Sequence, residues 1–536
     1  MLSFAGRCAL AFVVIAGGCV ALILRESVEG AVPSGSLRDA WLELRGAHVY
    51  AGATLLGDNA SAWAARWEVL STATDTIDAS YFIVEDDAFG MAFLGKLLEK
   101  AEDGVRVRLL LDARGSEALT SDARDYLQEL VQSGGVDVRI FNPPLPQLLV
   151  ALLERSLVPM ASASHNKILV VDCTIAVTGG RNVSRLYFST LFEDANAVTD
   201  ADVLLDGADA VASLASVLED EFEAPVHYLV PSDIVNLLSR RDELRLIAAA
   251  MDAWVNGDVE CQGGSALDLE RLARAATGVD DDAAIAAARP RLVSMTAATS
   301  VCDTLPTRVM PRFDVEATVV TGTARAQRFD DSVNEALLRA VGGASESIVF
   351  DSAYFILTPR LLAALEAASQ RGVVIQLLTN SPLSSDNDFA EALFIDSWPE
   401  IVARVPTLRV FVTSTEQMQH AKRAIFDDEL TFIGSFNIDP FSLHVNSELL
   451  VAIWSREFAA QSRASLEGRL ADGSMLEYRV AHDDDGLVRR EKPGGAVIIA
   501  FGPDDHVPAD QLARLRALKW LLLAQRRLWD FEVVVW

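Results

Sequence analysis

Two long stretches of the chain share one alternation of apolar and polar positions. Residues 75–112, DTIDASYFIVEDDAFGMAFLGKLLEKAEDGVRVRLLLD, open with an apolar β run ending in Tyr-Phe-Ile at Tyr81 to Ile83. Residues 346–379, ESIVFDSAYFILTPRLLAALEAASQRGVVIQLLT, do the same at Tyr354 to Ile356. In both, apolar residues then recur at three- and four-residue spacing, as on one face of a helix. Gly104 or Gly372 follows, and then a second β run rich in Val, Ile and Leu. The pattern predicts a βαβ unit in each half, with a mostly parallel, buried sheet. A further helix leads to a short strand, VDVRIF at 136–141 and TLRVFV at 407–412. The implied fold class is α/β: two duplicated α/β/α domains meeting about a pseudo-twofold axis.

After these strands comes an octet that sharpens the repeat. Residues 165–172 read HNKILVVD and residues 420–427 read HAKRAIFD, 255 positions apart. Each predicts a strand, a turn at Cys173-Thr174 or Asp428-Glu429, and a return to a glycine. GGRN (Gly179 to Asn182) and GSFN (Gly434 to Asn437) then stand at the same distance from their octets. Residues i and i+2 of a strand share a face, so His165 points with Lys167 and His420 with Lys422. Two domains packed face to face bring both pairs to one cleft. Asp172 and Asp427 complete each octet but lie an odd number of places away, near the turn. They are read as holding backbone or partner groups.

Composition makes the octets harder to dismiss as strand faces with one polar side. The chain has six lysines against forty arginines, and seven histidines; two of the lysines and two of the histidines are in these octets. An ammonium is a compact point charge with three rotatable donors, suited to a tetrahedral oxyanion. The net charge of −30 and a pI near 4.6 disfavour a nonspecific nucleic-acid binder, since such a surface repels phosphate polyanions. The hydrophobic fraction of 51% describes a folded chain long enough for two or more cores.

Residues 8–24, CALAFVVIAGGCVALIL, are uncharged between Arg7 and Arg25 and are read as an uncleaved signal anchor. The expected organisation is an anchor within 1–30, a first domain over 38–235, a helical inter-domain connector over 236–315, a second domain over 316–470, and an extension over 471–536. The stretch 518–531, LKWLLLAQRRLWDF, is expected to pack on the protein, because a membrane-surface helix carries a more basic polar face. Cys261 and Cys302 flank the connector. They are expected as two reduced, partly buried thiols, pairing being the alternative in an oxidising compartment.

Two histidines facing one phosphodiester divide the work of displacement. One attacks phosphorus and the other protonates the leaving oxygen. The second then deprotonates the incoming water or alcohol. Lys167, Lys422, Asn182 and Asn437, with Ser435 beside the last, are candidates to bind the non-bridging oxygens and stabilise the transition state. The scheme requires no metal and no cofactor.

The doubled His-x-Lys-x4-Asp, with GGRNVSRLYF and TDADVLLDG in the first half and GSFNIDPFSLHVNSELLVAI in the second, resembles the phospholipase D superfamily in its bacterial cardiolipin synthase-like branch. The resemblance spans about residues 40–500. It implies two phospholipase D-type domains and a metal-free transfer of phosphatidyl groups through a phosphohistidine. Phospholipids, phosphatidylglycerol among them, are the implied substrates; the 8–24 anchor with Arg7 before it places the protein at a membrane with an extracytoplasmic catalytic body, and the anchor with the −30 charge argues against a nucleic-acid partner. Hydrolysis as a phospholipase D is the alternative, and a nuclease or a non-enzymatic scaffold stand further off. The resemblance also implies His165 as nucleophile, His420 as general acid, and an acidic residue in each motif's own half to hold its histidine. By register these are Asp200 and Glu448. Phe441 in DPFS, Val183 to Tyr187 after GGRN, and ASAS at 161–164 depart from the branch's pattern and put headgroup and acceptor preference in doubt.

Overall fold

The computed structural model describes residues 35–45, 50–143, 162–224, 227–230, 239–302 and 310–529, apart from isolated positions within them. The anchor expected over 8–24 lies outside the described residues.

The first half supplies β1 (Tyr50–Leu56), β2 (Thr76–Tyr81), β3 (Arg106–Asp112), β4 (Asp137–Phe141), β5 (Ile168–Val171), β6 (Ile175–Gly179), β7 (Asp202–Asp206) and β8 (His227–Leu229). The second supplies β9 (Arg312–Gly322), β10 (Ser347–Ser352), β11 (Val374–Thr379), β12 (Leu408–Thr413), β13 (Lys422–Phe426), β14 (Leu430–Gly434), β15 (Glu448–Trp454) and β16 (Met475–Val480). Pairing runs in the order β8, β4, β3, β2, β5, β6, β7, β1 through the first half. It continues β9, β15, β14, β13, β10, β11, β12, β16 through the second. The two series are the same order, joined where β1 runs antiparallel to β9. This antiparallel seam sets the twofold relation between the halves. The parallel trios β2-β3-β4 and β10-β11-β12 are the expected βαβ units.

The register corrects one alignment read from sequence. Ile77 pairs with Val171, and Ile348 with Phe426, so Tyr81 corresponds to Ser352 and not to Tyr354. The two Tyr-Phe-Ile tripeptides are two places out of step. An even slip keeps each residue on its expected face, which is why the pattern concealed it.

Alternation along β5 divides the core. Ile168 and Val170 face a cluster with Leu205, Leu214 and, from the second half, Leu449 and Val451. Leu169 and Val171 face the larger cluster built on Trp63, Trp67 and Phe89. The helices Arg241–Val255 and Asp282–Thr296 of the expected connector bury Leu244, Ile247, Trp254 and Leu292 in that same first-half cluster. Boundaries also move. Strand β9 begins at Arg312, before the expected second domain, and β16 lies beyond residue 470 yet pairs with β12. The helix Leu37–Leu44 precedes the first half but packs on the second: Trp41 stacks on Trp454 at 5.9 Å and donates to Glu316 at 3.0 Å.

Cys261 and Cys302 form a disulfide, correcting the expectation of two free thiols. The loops around the connector helices, Ala266–Thr277 among them, bring their Cα atoms to 5.4 Å, a separation the sequence does not reveal. In the helix Ala509–Trp529, Leu512 and Leu515 pack against Ile395 and Lys519 reaches Asp396, so the first part of this helix lies on the protein, while Trp520 and Leu521 of the stretch 518–531 are exposed.

Candidate active site

His165 and His420 each sit just before a strand, β5 and β13, in a segment pinned by the opposite half. His165 N donates to Ser447 O at 3.0 Å, and His420 N donates to Thr199 O at 2.8 Å. The residue before each histidine is clamped from its own sheet. Ser164 N donates to Asp112 Oδ2 at 3.0 Å, and Gln419 N donates to Asn380 Oδ1 at 2.8 Å. Both imidazoles are thus fixed where the halves meet, with 8% and 7% of their surface exposed.

The orienting carboxylates cross between halves. His165 Nδ1 lies 3.0 Å from Glu448 Oε2, and His420 Nδ1 lies 2.6 Å from Asp200 Oδ2. Asp200 and Glu448 do hold the histidines, but each serves the other half's ring, which corrects the expectation of own-half pairing. The cause is the interlocked backbone: Thr199 bridges to Gln419 and Ser447 to Ser164, carrying the adjacent acid across the interface. With Nδ1 occupied by a carboxylate, Nε2 of each ring is the atom left for chemistry.

Lys167 Nζ donates to His165 O at 2.6 Å, and Lys422 Nζ lies 3.0 Å from His420 Nδ1. Burial pushes the Lys167 ammonium down to about 7, and moves Lys422 in the same direction. Burial lowers His165 against the attraction of Glu448, and burial with Lys422 holds His420 well below its ordinary value. Burial opposes the ionisation of Glu448, but His165 and Lys167 outweigh it and its carboxyl titrates low. Asp200 is pushed up to about 6 by burial, against Lys422 and Arg181.

The remaining candidates divide. Asn182 is buried, accepts from Ile83 N at 3.0 Å and donates to the Tyr187 hydroxyl at 2.9 Å. The Asn437 Oδ1 is buried without a partner among the described residues, and is free to meet a ligand donor. Ser435 Oγ donates to Glu448 at 2.5 Å, so it supports the orienting acid. Asp172 and Asp427 are not at the reacting centre. Asp172 accepts from Thr74 N, Asp75 N and Thr76 N, and Asp427 from Ser345 N, Glu346 N and Ser347 N. The hairpins turn at Asp172-Cys173 and Asp427-Asp428, all with φ near +50°, one residue earlier than expected.

Of the aromatic walls, the sequence singles out only the Val183 to Tyr187 stretch; Phe82 and Tyr354 appear there as ends of β runs and not as site residues. Phe82 stands edge-on to His165 at 5.1 Å and Tyr187 to His420 at 5.3 Å. Tyr354 donates to Asp386 at 2.5 Å, and the charge of Asp386 acts on His420 and Lys422. No periodic signal marks these residues, because their place depends on loops at the strand ends.

A family model described as cardiolipin synthase, PLD-like domain matches residues 67–224 and 337–470, more than half of the chain. Cardiolipin synthase C of Escherichia coli K12 is 27% identical over 86% of this chain and 94% of its own length. Cardiolipin synthase A of Pseudomonas aeruginosa is 25% identical over 81% of this chain and 69% of its own. Among solved structures, the phosphatidylserine synthase of Haemophilus influenzae Rd KW20 covers 92% of this chain and 100% of its own, at a TM-score of 0.57 and 12% identity. That likeness bears on the fold.

Proposed function

The chain belongs to the cardiolipin synthase, PLD-like domain family, and from that membership we propose that it transfers phosphatidyl groups between phospholipids through a phosphohistidine. The crossed contacts His165–Glu448 and His420–Asp200 support this reading most, since they turn two imidazoles from different halves toward one cleft.

His165 Nε2 attacks phosphorus, the bond to the headgroup oxygen breaks, and His420 Nε2–H protonates that oxygen. The burial that keeps His420 neutral in the free protein is opposed once a phosphodiester anion binds, which draws the ring toward imidazolium. Lys167 and Lys422, with Asn182 and Asn437, take up the charge on the non-bridging oxygens. In the return step the acceptor hydroxyl gives its proton to His420, its oxygen attacks phosphorus, and the P–N bond to His165 breaks. Both rings regain their starting state. With phosphatidylglycerol as both donor and acceptor, the acceptor's headgroup hydroxyl takes the phosphatidyl group, the product is cardiolipin and the leaving group is glycerol. The small exposure of both histidines favours an alcohol delivered in place over bulk water.

The protein works at a membrane, held by residues 8–24, with its catalytic body outside the cytoplasm. The Cys261–Cys302 disulfide supports an oxidising compartment. Among the described residues no helix is long and apolar enough to cross a membrane. The charge of −30 argues against nucleic acid as partner.

Lipid analysis after expression in a bacterium lacking cardiolipin tests the reading. Cardiolipin made by the wild type and not by His165→Ala is the expected result. Phosphatidic acid without cardiolipin means that water is the acceptor, and DNA cleavage with unchanged lipids contradicts the proposal.

A further inference from the structure

A carboxylate buried beside a histidine needs compensation to stay charged, and the two orienting acids receive it in different ways. Glu448 takes it from hydroxyls: Ser435 Oγ at 2.5 Å and Ser442 Oγ at 2.8 Å. By the shared register of the two sheets, Gly180 and Tyr187 stand at those positions in the first half. The Tyr187 hydroxyl is taken up by Asn182. A Cβ on Gly180 would stand 2.1 Å from Asp200 Oδ1, so no side chain fits there.

Asp200 has one backbone donor, Ala201 N to Oδ1 at 2.7 Å, and behind it stands an ionic cluster. Arg181 Nη2 donates to Asp200 O at 2.6 Å, and Arg181 Nη1 donates to Asp202 Oδ2 at 3.0 Å. Arg66 Nη2 reaches the same Asp202 oxygen at 2.9 Å. All three side chains are at most 1% exposed. Arg66 also touches Tyr81 at 3.4 Å. The second half has Ser352 and Leu450 at the corresponding strand positions, Phe436 two residues past the end of β14, and Leu337 on the corresponding helix. There they line a mainly apolar cavity of about 30 Å³. At these four positions the second half carries no charged side chain, although Lys422 and Arg423 border the same cavity, so the Arg66–Asp202–Arg181 cluster is not a requirement of the architecture.

We propose that the buried Arg66–Asp202–Arg181 cluster is a positioning element that holds the Asp200 carboxylate against His420 and makes the two histidines of the site inequivalent. This rests on the phosphatidyl-transfer reading. Two guanidiniums and one carboxylate leave one net positive charge behind Asp200. The groups facing Asp200 are His420, Lys422 and Arg181, which favour its charged form or bond to it, and Asp202, which opposes it. Lys167 and Tyr187 feel its charge from further off.

The test uses two variants whose electrostatic effects have opposite sign. Asp202→Asn removes a negative charge with little change of shape, so the acid limb of the kcat/KM profile for phosphatidyl transfer moves down by about one pH unit. The triple change Arg66→Leu, Arg181→Phe, Asp202→Leu installs the residues that the second half already packs. It removes net positive charge, and the limb moves up by about as much. Nitrogen chemical shifts of the His420 ring, followed against pH in the ligand-free protein, move in the same two directions. Limbs and shifts of opposite sign support the proposal. A lower rate with unmoved limbs, or shifts of one sign in both variants, overturns it. Should the triple variant not fold, Asp202→Asn decides alone, and an unmoved or upward limb is the contradicting result. Wild-type protein without transfer activity would instead defeat the parent reading, leaving the ring titration to judge the cluster.

Discussion

His420 Nδ1 lies 2.6 Å from Asp200 Oδ2, a contact that spans 220 positions and joins the two halves of the molecule. Its counterpart, His165 with Glu448, spans 283 positions in the reverse sense. Neither half holds a complete histidine–carboxylate pair, so the crossing couples chemistry to the seam between β1 and β9.

A double-mutant cycle reads this crossing directly. Asp200→Asn and His420→Ala remove members of one unit, so the second change adds little to the first. With Glu448→Gln as the partner of His420→Ala, the two losses multiply in the steps both residues serve more independently. The check is kcat/KM for single and double variants, with coupling of about 0.5–3 kcal/mol for contacting pairs. Stronger coupling of Asp200 to His165 than to His420 would contradict the crossed arrangement.

The alkaline side of the pH profile belongs to the lysines. Lys167 is pushed down to about 7 by burial, so in the free enzyme its charge is present below that pH and lost above it. The kcat/KM value then falls about tenfold per pH unit on that side, while kcat stays flatter because a bound phosphate holds the ammonium charged. Lys167→Arg removes this limb while lowering kcat, since a planar fork does not replace a compact ammonium. An unmoved limb in that variant assigns the titration to another group.

The motif aspartates behave as structural residues. Asp172→Ala and Asp427→Ala each release three backbone N–H groups at the far end of a catalytic strand. Each lowers stability by about 1–3 kcal/mol. The folded fraction keeps a near-normal activated-ester rate. Thermal denaturation with rates measured well below the midpoint separates the two effects, and a large rate loss without a lower Tm would return these residues to the chemistry.

The disulfide gives a second stability result. Cys261 and Cys302 are 41 positions apart, and Cys261→Ser with Cys302→Ser lowers stability by about 2–4 kcal/mol while sparing catalysis. A reductant titration followed by Tm checks it; an unchanged Tm under full reduction means that the link contributes nothing.

Much of this was legible in the chain. His165 with Lys167 and His420 with Lys422 share a face because a strand has a period of two, and that holds whatever the strand packs on. The family resemblance, placed by register within each half, points to Asp200 and Glu448 but not to their exchange. Which ring an acid meets depends on how two surfaces dock, and local pattern carries no information about docking. The Tyr-Phe-Ile slip failed differently: a shift of two preserves facing, so identity of residues outvoted pairing. Arg181 and Phe436 look interchangeable in GGRN and GSFN until Asp202 and Leu450 are seen behind them.

The most direct measurement is rapid-quench trapping of the labelled phosphoenzyme with an activated phosphodiester bearing a nitrophenolate leaving group. In the wild type the label is expected on His165. His420→Ala still forms the adduct, because nitrophenolate leaves without a proton, although the same variant loses about 10²–10⁴-fold on a natural lipid. His165→Ala forms none. Label on His420 in the His165→Ala protein, with none in His420→Ala, would reverse the two roles. A turnover-competent wild type with no trapped adduct would contradict the covalent mechanism itself.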